Sequence, residues 1–327
     1  MRHFFVINPH SFRTLSSLKK VLMDLENCFS VGRRMEYKIY ISRRPRDAVS
    51  AVHRYMLTVP SDETVRIYAV GGDGILFDCL NGMVKFPNAE LTSVPYGNAN
   101  DFVRAYGEDA APAFRDIKKL SAAPSHPVDI IHYGNNYALN EANIGIVGLT
   151  MTYANATLRR SGSKIPRFIT PHIYTFSGLR ASFNKEVLKQ KYTVLLDKED
   201  ISGGYGNIHI ANGPCNGGNA VPSPYAKPND GLLDLIFTTI NRKRDVILSF
   251  TDMQAGKFEK REDLYFRKQC RLIEIYSELP LCVELDGEAF FAHEVKLEII
   301  PHGIKFFAPE EMSFASYSHR AYQKRKK

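Results

Sequence analysis

Four short polar segments each follow a run of β-forming residues in the first third of the chain. They are Asn8-Pro9-His10-Ser11, Ser42 with Pro45 and Asp47-Ala48, Gly71-Gly72-Asp73-Gly74, and Pro95-Tyr96-Gly97-Asn98-Ala99-Asn100-Asp101. Glycines in such loops let backbone N–H groups close on a phosphate, and a following helix adds its positive N-terminal end. Asp73 has the chemistry to hold a metal-bound water or to organise its loop. Far downstream, Leu285-Asp286-Gly287-Glu288 reads as a hairpin turn whose tip can present a carboxylate to a cleft. Between them, Asp230 sits in a turn where a carboxylate and neighbouring carbonyls could hold a hard cation. Each segment also has a plain structural reading, as a helix cap, a hairpin or a surface turn.

The elements that must position these residues follow from periodicity. Phe4–Ile7, Tyr37–Ile41, Val65–Val70 and Leu91–Val94 read as strands, separated by helices over Leu15–Leu25, Ala48–Leu57 and Gly74–Val84. Strand–helix alternation implies parallel βαβ units, whose ligands lie beyond the carboxyl ends of the strands. All four polar segments fall at that edge. From Val128 onward the sequence predicts short strands: Val128–His132, Tyr137–Asn140, Tyr192–Leu196, Asn207–Ala211, Leu233–Thr238, Leu272–Ser277, Leu281–Leu285 and Val295–Ile300. Turn pairs such as Asp286-Gly287 separate them, which suggests an antiparallel sandwich or barrel-like unit. The boundary is expected near Ala122-Ala123-Pro124.

The composition excludes several classes. The 327 residues are 44% hydrophobic and 24% charged, within the range of globular proteins rather than disordered or fibrous ones. No apolar run approaches the ~18 residues of a membrane span. The five cysteines are scattered and never spaced C-x-x-C, so reduced thiols in a cytoplasmic protein are expected. The net charge of +8 is uneven. Residues 1–60 carry 11 basic against 4 acidic side chains, and residues 320–327 carry five basic side chains and no acid. A further group, Arg159, Arg160, Lys164 and Arg167, lies among apolar residues.

Taken jointly and in this order, the segments resemble the diacylglycerol kinase catalytic domain family of soluble lipid kinases. Asn8-Pro9-His10-Ser11, Gly71-Gly72-Asp73-Gly74, Gly97-Asn98-Ala99-Asn100-Asp101-Phe102 and Asp286-Gly287-Glu288 carry the resemblance. Asn140, Gly145, Ala226 and Asp230-Gly231-Leu232-Leu233-Asp234 extend it. It implies an α/β nucleotide-binding domain with a parallel sheet over residues 1–127 and a β-rich antiparallel sandwich domain for the lipid over 128–303. Residues 304–327 would return to the first domain. It further implies that Asn8, Ser42, Gly71, Gly72, Asp73, Gly74, Gly97, Asn98 and Asn100 bind ATP. Asp73 would organise the catalytic Mg2+ through water. Asp286 would be the general base with Glu288 in support. Asp230 and the carbonyls of Lys227 and Leu232 would hold a structural Mg2+. The expected partners are ATP and a lipid at an anionic membrane surface, for which basic patches suit better than for nucleic acid. Pairing of an exposed sandwich edge would give a homodimer.

Three positions depart from the family pattern. Ile75 stands where a Thr hydroxyl is usual in the phosphate loop, Asn98 replaces a Thr, and Phe12 replaces a Gly. A lost hydrogen bond to a charged group costs ~1.5–3 kcal/mol. These departures motivate one alternative, a degenerate lipid- or nucleotide-binding protein. A NAD kinase-like enzyme, which shares the Gly-Gly-Asp-Gly type of first domain, is the other.

Overall fold

The structure is a computed structural model that describes residues 1–29, 37–161, 170–218, 220–240, 243–255, 261–315 and 317. Lys164, Arg167 and the basic stretch 320–327 lie outside the described residues, as does Asn219. The first third forms β1 (Arg2–Ile7), α1 (Leu15–Phe29), β2 (Tyr37–Ile41), α2 (Asp47–Met56), β3 (Val65–Gly71), α3 (Asp73–Met83) and β4 (Ala89–Pro95). The strands pair in parallel in the order β2-β1-β3-β4. Every residue of β3 and β4 is buried, as expected for strands covered by helices on both faces. Arg66 is the charged exception within β3. Its guanidinium pairs with Glu90 at 3.0 Å and donates to the carbonyls of Ser121 at 3.0 Å and Ala123 at 2.7 Å. A buried charge is tolerated only when so satisfied.

The helices cover the sheet by helical spacing. α1 buries Val21, Leu25 and Phe29, four residues apart, and α2 buries Ala48, Ala51, Val52, Tyr55 and Met56. α3 is buried on most sides because α2 lies against it at Gly82, where a Cβ would come within 2.7 Å of the Val49 carbonyl and of Val52. Three short helices, α4 (Asp101–Arg104), α5 (Ala111–Phe114) and α6 (Ile117–Ala122), lead out of this layer.

The rest of the chain is a largely antiparallel array with helices at its side. It contains β5 (Ser125–Tyr133), β6 (Asn136–Ala138), β7 (Glu141–Gly145), α7 (Ile146–Ser161), α8 (Thr170–Ala181) and α9 (Lys185–Leu188). Then come β8 (Lys191–Leu196), β9 (Glu199–Asp200), β10 (Gly203–Gly204), β11 (Asn207–Ala211) and β12 (Leu233–Thr238). α10 (Lys243–Ala255), β13 (Tyr265–Cys270), β14 (Leu272–Leu285) and β15 (Glu288–Phe307) follow. β14 pairs antiparallel with β7, β8 and β15, and β11 joins β7 to β12 and β13.

Periodicity missed several elements here. The two expected strands Leu272–Ser277 and Leu281–Leu285 are one strand with a register shift between Tyr276 and Leu281. Val295–Ile300 is the middle of the 20-residue β15. β7 was hidden behind Asn140, and α7, α8 and α10 lie in stretches that carried no strand signal.

β15 links the two sheets. Its first half pairs with β14, its second half runs antiparallel to β5, and Lys305 and Phe306 pair in parallel with Glu90 and Leu91 of β4. Phe306 and Phe307 are fully buried in the core of the first layer, where Phe102 and Tyr68 meet them edge-on. Among the described residues no helix is long and apolar enough to cross a membrane.

Candidate active site

Three loops meet at the carboxyl edge of the parallel sheet. Asn8 caps the 3-10 turn Pro9–Ser11 by accepting from the His10 N–H at 3.0 Å, and its own N–H donates to the Val70 carbonyl at 3.0 Å. The Gly71 carbonyl accepts from Tyr96 N–H at 2.6 Å and Gly97 N–H at 2.9 Å, which binds the loop after β3 to the loop after β4. The backbones touch. A Cβ on Gly97 would lie 2.3 Å from the Gly72 Cα, and a Cβ on Gly71 would meet Ile75 at 2.8 Å and Ser11 at 2.9 Å. Glycine is required here by this close approach. Asn100 adopts the left-handed conformation (φ 54°), and its side chain clasps Gly97 by accepting from its N–H at 3.0 Å and donating to its carbonyl at 2.9 Å. Gly74 faces open space and Asn98 is exposed, so both remain accessible at the rim.

Asp73 opens α3 but points across to the next loop. Its two oxygens accept the N–H groups of Asn100 and Asp101, each at 2.8 Å. Asp101 in turn accepts from Gly218 N–H at 2.8 Å and pairs with Arg104 at 3.2 Å. Burial, then the neighbouring Asp101 charge, pushes the Asp73 carboxyl up to about 7. The same cause raises Asp101, despite its donors and Arg104.

Asp286 reaches this cluster from the tip of the β14–β15 hairpin, where it too is left-handed (φ 44°). Its carboxylate accepts three backbone N–H groups, Leu139 at 2.7 Å, Asn140 at 3.1 Å and Glu141 at 2.9 Å. The Asn140 N–H is shared with the second oxygen at 3.4 Å, so each oxygen accepts two contacts. Burial raises its carboxyl to about 6, against the pull of the three donors, and the Asp101 charge adds to the rise. The turn is held from below. Glu284 accepts the Gly287 N–H on one oxygen and the Asn143 side-chain amide at 2.8 Å on the other. Asn143 also faces His209 Nδ1 at 3.0 Å, and Glu141 accepts from Asn216 at 2.6 Å. Burial pushes Glu284 up to about 7 and Glu141 well above the usual carboxylate range.

The structure thus brings Asn8, Gly71, Gly72, Asp73, Gly97 and Asn100 into contact, with Asp286 facing them from the second sheet. The others stand apart. Ser42 follows β2 and its hydroxyl donates to Asp47 at 2.7 Å, inside its own turn, while its N–H donates to Ile7 at 2.8 Å. Glu288 lies half-buried on β15, 3.9 Å from Arg159 of α7. Asp230, Lys227 and Leu232 form a separate loop. Leu232 N–H donates to Asp230 at 3.1 Å, the Lys227 carbonyl accepts from Asn229 N–H at 2.7 Å, and Asp129 ties the loop to β15 through Gly231 N–H and His302 N–H, each at 2.7 Å.

Residues 2–133 match the diacylglycerol kinase catalytic domain, and residues 151–308 match the YegS C-terminal NAD kinase beta sandwich-like domain. The chain carries a diacylglycerol kinase catalytic domain and is a lipid kinase. Among curated proteins it is 28% identical to a "Probable lipid kinase YegS-like" protein of Shewanella frigidimarina over 78% of this chain and 80% of that one. A protein of the same description from Alcanivorax borkumensis is 25% identical over 79% and 83%. Its fold is also that of a crystal structure of a diacylglycerol kinase from Bacillus anthracis, with a TM-score of 0.67 over 94% of this chain and 96% of that one at 19% identity.

The kinase's departures from the family pattern have structural explanations in two cases. Ile75 is buried in the core beneath Gly71, so it supports the phosphate-type loop from behind. Phe12 stacks on Tyr96 with ring centroids 4.5 Å apart, and Arg115 covers the other ring contact at 5.0 Å, so an aromatic joint replaces a glycine between the first and fourth loops. Nothing in the structure accounts for Asn98. Sequence reasoning named Asp101 only within its loop and missed Glu141, Asn143 and Glu284. Glu284 carried a usable signal only in its place two residues before Asp286.

Both sites of expected Mg2+ have the chemistry for a cation. The Asp101 and Asp286 charges raise the Asp73 carboxyl, the Asp101 charge also raises Asp286, and Arg104 pairs with Asp101. In the separate loop, buried Asp234 leaves one oxygen without a partner among the described residues, and burial followed by the Asp230 charge raises its carboxyl to about 6. Among the described residues no three His, Cys, Asp or Glu side chains converge to hold a metal. A cation in either place would therefore need backbone carbonyls, water or phosphate oxygens to complete its shell.

Proposed function

We propose that this kinase transfers the γ-phosphoryl group of ATP to the free hydroxyl of a diacylglycerol or a related lipid. Asn8, Ser42, Gly71, Gly72, Asp73, Gly74, Gly97, Asn98 and Asn100 form the nucleotide site in this reading. Residues 1–127 are the nucleotide domain, 128–303 the lipid domain, and 304–327 the closing segment. The chain works at the cytoplasmic face of a membrane. Mg2+ bound with the nucleotide would supply the positive charge that phosphoryl transfer demands. Asp73 would fix that ion's water shell, and the Asp230 loop, with the Lys227 and Leu232 carbonyls, would take a second, structural ion.

Asp286 acts as general base. It accepts the hydroxyl proton as the lipid oxygen bonds to the γ-phosphorus and the bond to the β-phosphate bridging oxygen breaks, leaving ADP. The observation that carries this role is its geometry. Three N–H donors fix the carboxylate opposite the phosphate-type loops. A carboxyl near 6 is ionised at neutral pH yet basic enough to share a proton. Glu288 supports the turn's charge balance through Arg159.

The test is ADP release from Mg-ATP with diacylglycerol vesicles, and separately with NAD, which the C-terminal match brings in as a second reading. Lipid-dependent turnover is expected, and Asp286→Asn should lower kcat ~10²–10⁴-fold. Turnover that survives in that variant removes Asp286 as base. Turnover with NAD only transfers the assignment to the NAD kinase-like reading.

A further inference from the structure

α8 is amphipathic in an inverted sense. Its buried stripe is Ile173, Ser177 and Ala181, spaced four apart, whereas Phe176 is 70% exposed, Leu179 54% and Phe183, just past its end, 69%. Tyr174 is a further 36% exposed. Positions 176, 179 and 183 fall on one helical face. Scattered apolar residues on a surface are ordinary, but a contiguous set of this size marks an interaction site.

Two further observations bear on what covers it. Exposed basic side chains accompany this face on α8 and on the helices that precede and follow it. Arg159 and Arg160 end α7, Arg180 lies on α8 with its guanidinium 4.1 Å from the Tyr153 ring, and Lys185 and Lys189 follow within six residues of Phe183. All five are exposed; among the described residues Glu186 follows in sequence, Glu288 pairs with Arg159, and the buried Glu284 acts on Tyr174 from the inner side. The patch is also tied to the catalytic turn. α8 packs along α7, and α7 holds the hairpin through Asn155, whose amide donates to the Gly287 carbonyl at 3.1 Å.

We infer that the outer face of α8 docks on an anionic bilayer, inserting Phe176, Leu179 and Phe183 among the acyl chains while the accompanying cations meet lipid headgroups. Aromatic and aliphatic side chains rimmed by Lys and Arg are the composition of an interfacial helix. A second copy of the chain fits less well, because the same cations would face one another across a two-fold contact. The docked helix sets the Asp286 turn beside the membrane surface, so an acceptor hydroxyl need travel little from its leaflet. This inference rests on the lipid-kinase reading and adds its docking surface.

The experiment measures flotation of the full chain with phosphatidylglycerol-containing and with pure phosphatidylcholine vesicles, alongside phosphorylation of vesicle-borne and of monomeric short-chain diacylglycerol. Phe176→Ser with Phe183→Ser should lower vesicle partition about tenfold or more. Lys185→Gln with Lys189→Gln should lower it about fivefold per charge on anionic vesicles and leave phosphatidylcholine binding unchanged. Both variants should keep activity on the monomeric lipid, which also reports that they fold. Unchanged vesicle binding in both variants, with lipid kinase activity intact, overturns the docking surface. So does a concentration-dependent dimer that Phe176→Ser with Phe183→Ser abolishes while vesicle binding persists. Vesicle binding that falls as stated, in a protein that phosphorylates no lipid, supports the surface and sinks the kinase acceptor instead.

Discussion

At the residue scale, Asp286 shows how burial and hydrogen bonding can be set against each other. Three N–H groups favour the carboxylate form, burial and the Asp101 charge oppose it, and the balance lies near 6 rather than at the ordinary 3.8. The sign for activity follows directly. Above about 6 the carboxylate is free to take a proton, and below it the group is already protonated. With monomeric lipid, kcat/KM is therefore expected to fall about tenfold per pH unit on the acid side of about 6. A rate that stays level down to the ordinary carboxylate range would mean that a different group takes the proton. The neighbours make the same point from the other side. Ile75, which on paper costs the phosphate loop a hydroxyl, is a core residue that packs beneath Gly71.

At the element scale, the site is made by loops closing on one another. The Gly72–Gly97 contact leaves no room for a methyl group, since the added Cβ on Gly97 would lie 2.3 Å from backbone. Gly97→Ala should separate the loops after β3 and β4, cost ~1–3 kcal/mol of stability, and weaken nucleotide binding more than it weakens lipid binding. Titration calorimetry with ATP and a thermal melt measure the two effects, and wild-type ATP affinity in the variant would refute the close-contact account. The Asp230 loop makes a different prediction. If a cation is held there, Mg2+ should raise the melting temperature of the wild type, and Asp230→Asn should abolish most of that rise, by RT ln(1 + [L]/Kd) for the lost site. An equal Mg2+ shift in both proteins would place the stabilising ion elsewhere.

At the scale of the whole molecule, β15 makes the two sheets one structure. It leaves the Asp286 turn at Glu288 and ends in the core of the first layer with Phe306 and Phe307. Any displacement of the hairpin is thus coupled to the parallel strands of the first layer through a single strand. Ending the chain after Gly303 removes both phenylalanines and the pairing with β4 and part of that with β5. Each buried Phe is worth ~3–5 kcal/mol, against a whole-domain stability of ~5–15 kcal/mol. The truncated chain should lose cooperative unfolding of residues 1–127, as seen by calorimetry or hydrogen exchange. A native-like transition in it would show that the first layer stands without the strand.

The sequence was informative wherever local chemistry constrains residue type. Glycines at close backbone approaches, polar loops at strand ends and the Asp-Gly turn are each set by neighbours a few residues away. For that reason Gly71–Gly74, Gly97–Asn100 and Asp286, and the alternation of β1 to β4 with their helices, could be read before any coordinates. What could not be read is what depends on contacts across the chain. Asp286 is held by N–H groups about 146 positions away, Arg46 and Arg66 find their acids 32 and 24 residues on, and Glu284 accepts from Asn143, 141 positions away. The length of β15 and the outward apolar face of α8 were equally hidden, because periodicity reports which residues share a face but not which face the rest of the molecule covers. Residue type thus set which chemistry was available, while folding decided which carboxylates converge, since burial and long-range pairing arise only when distant segments meet.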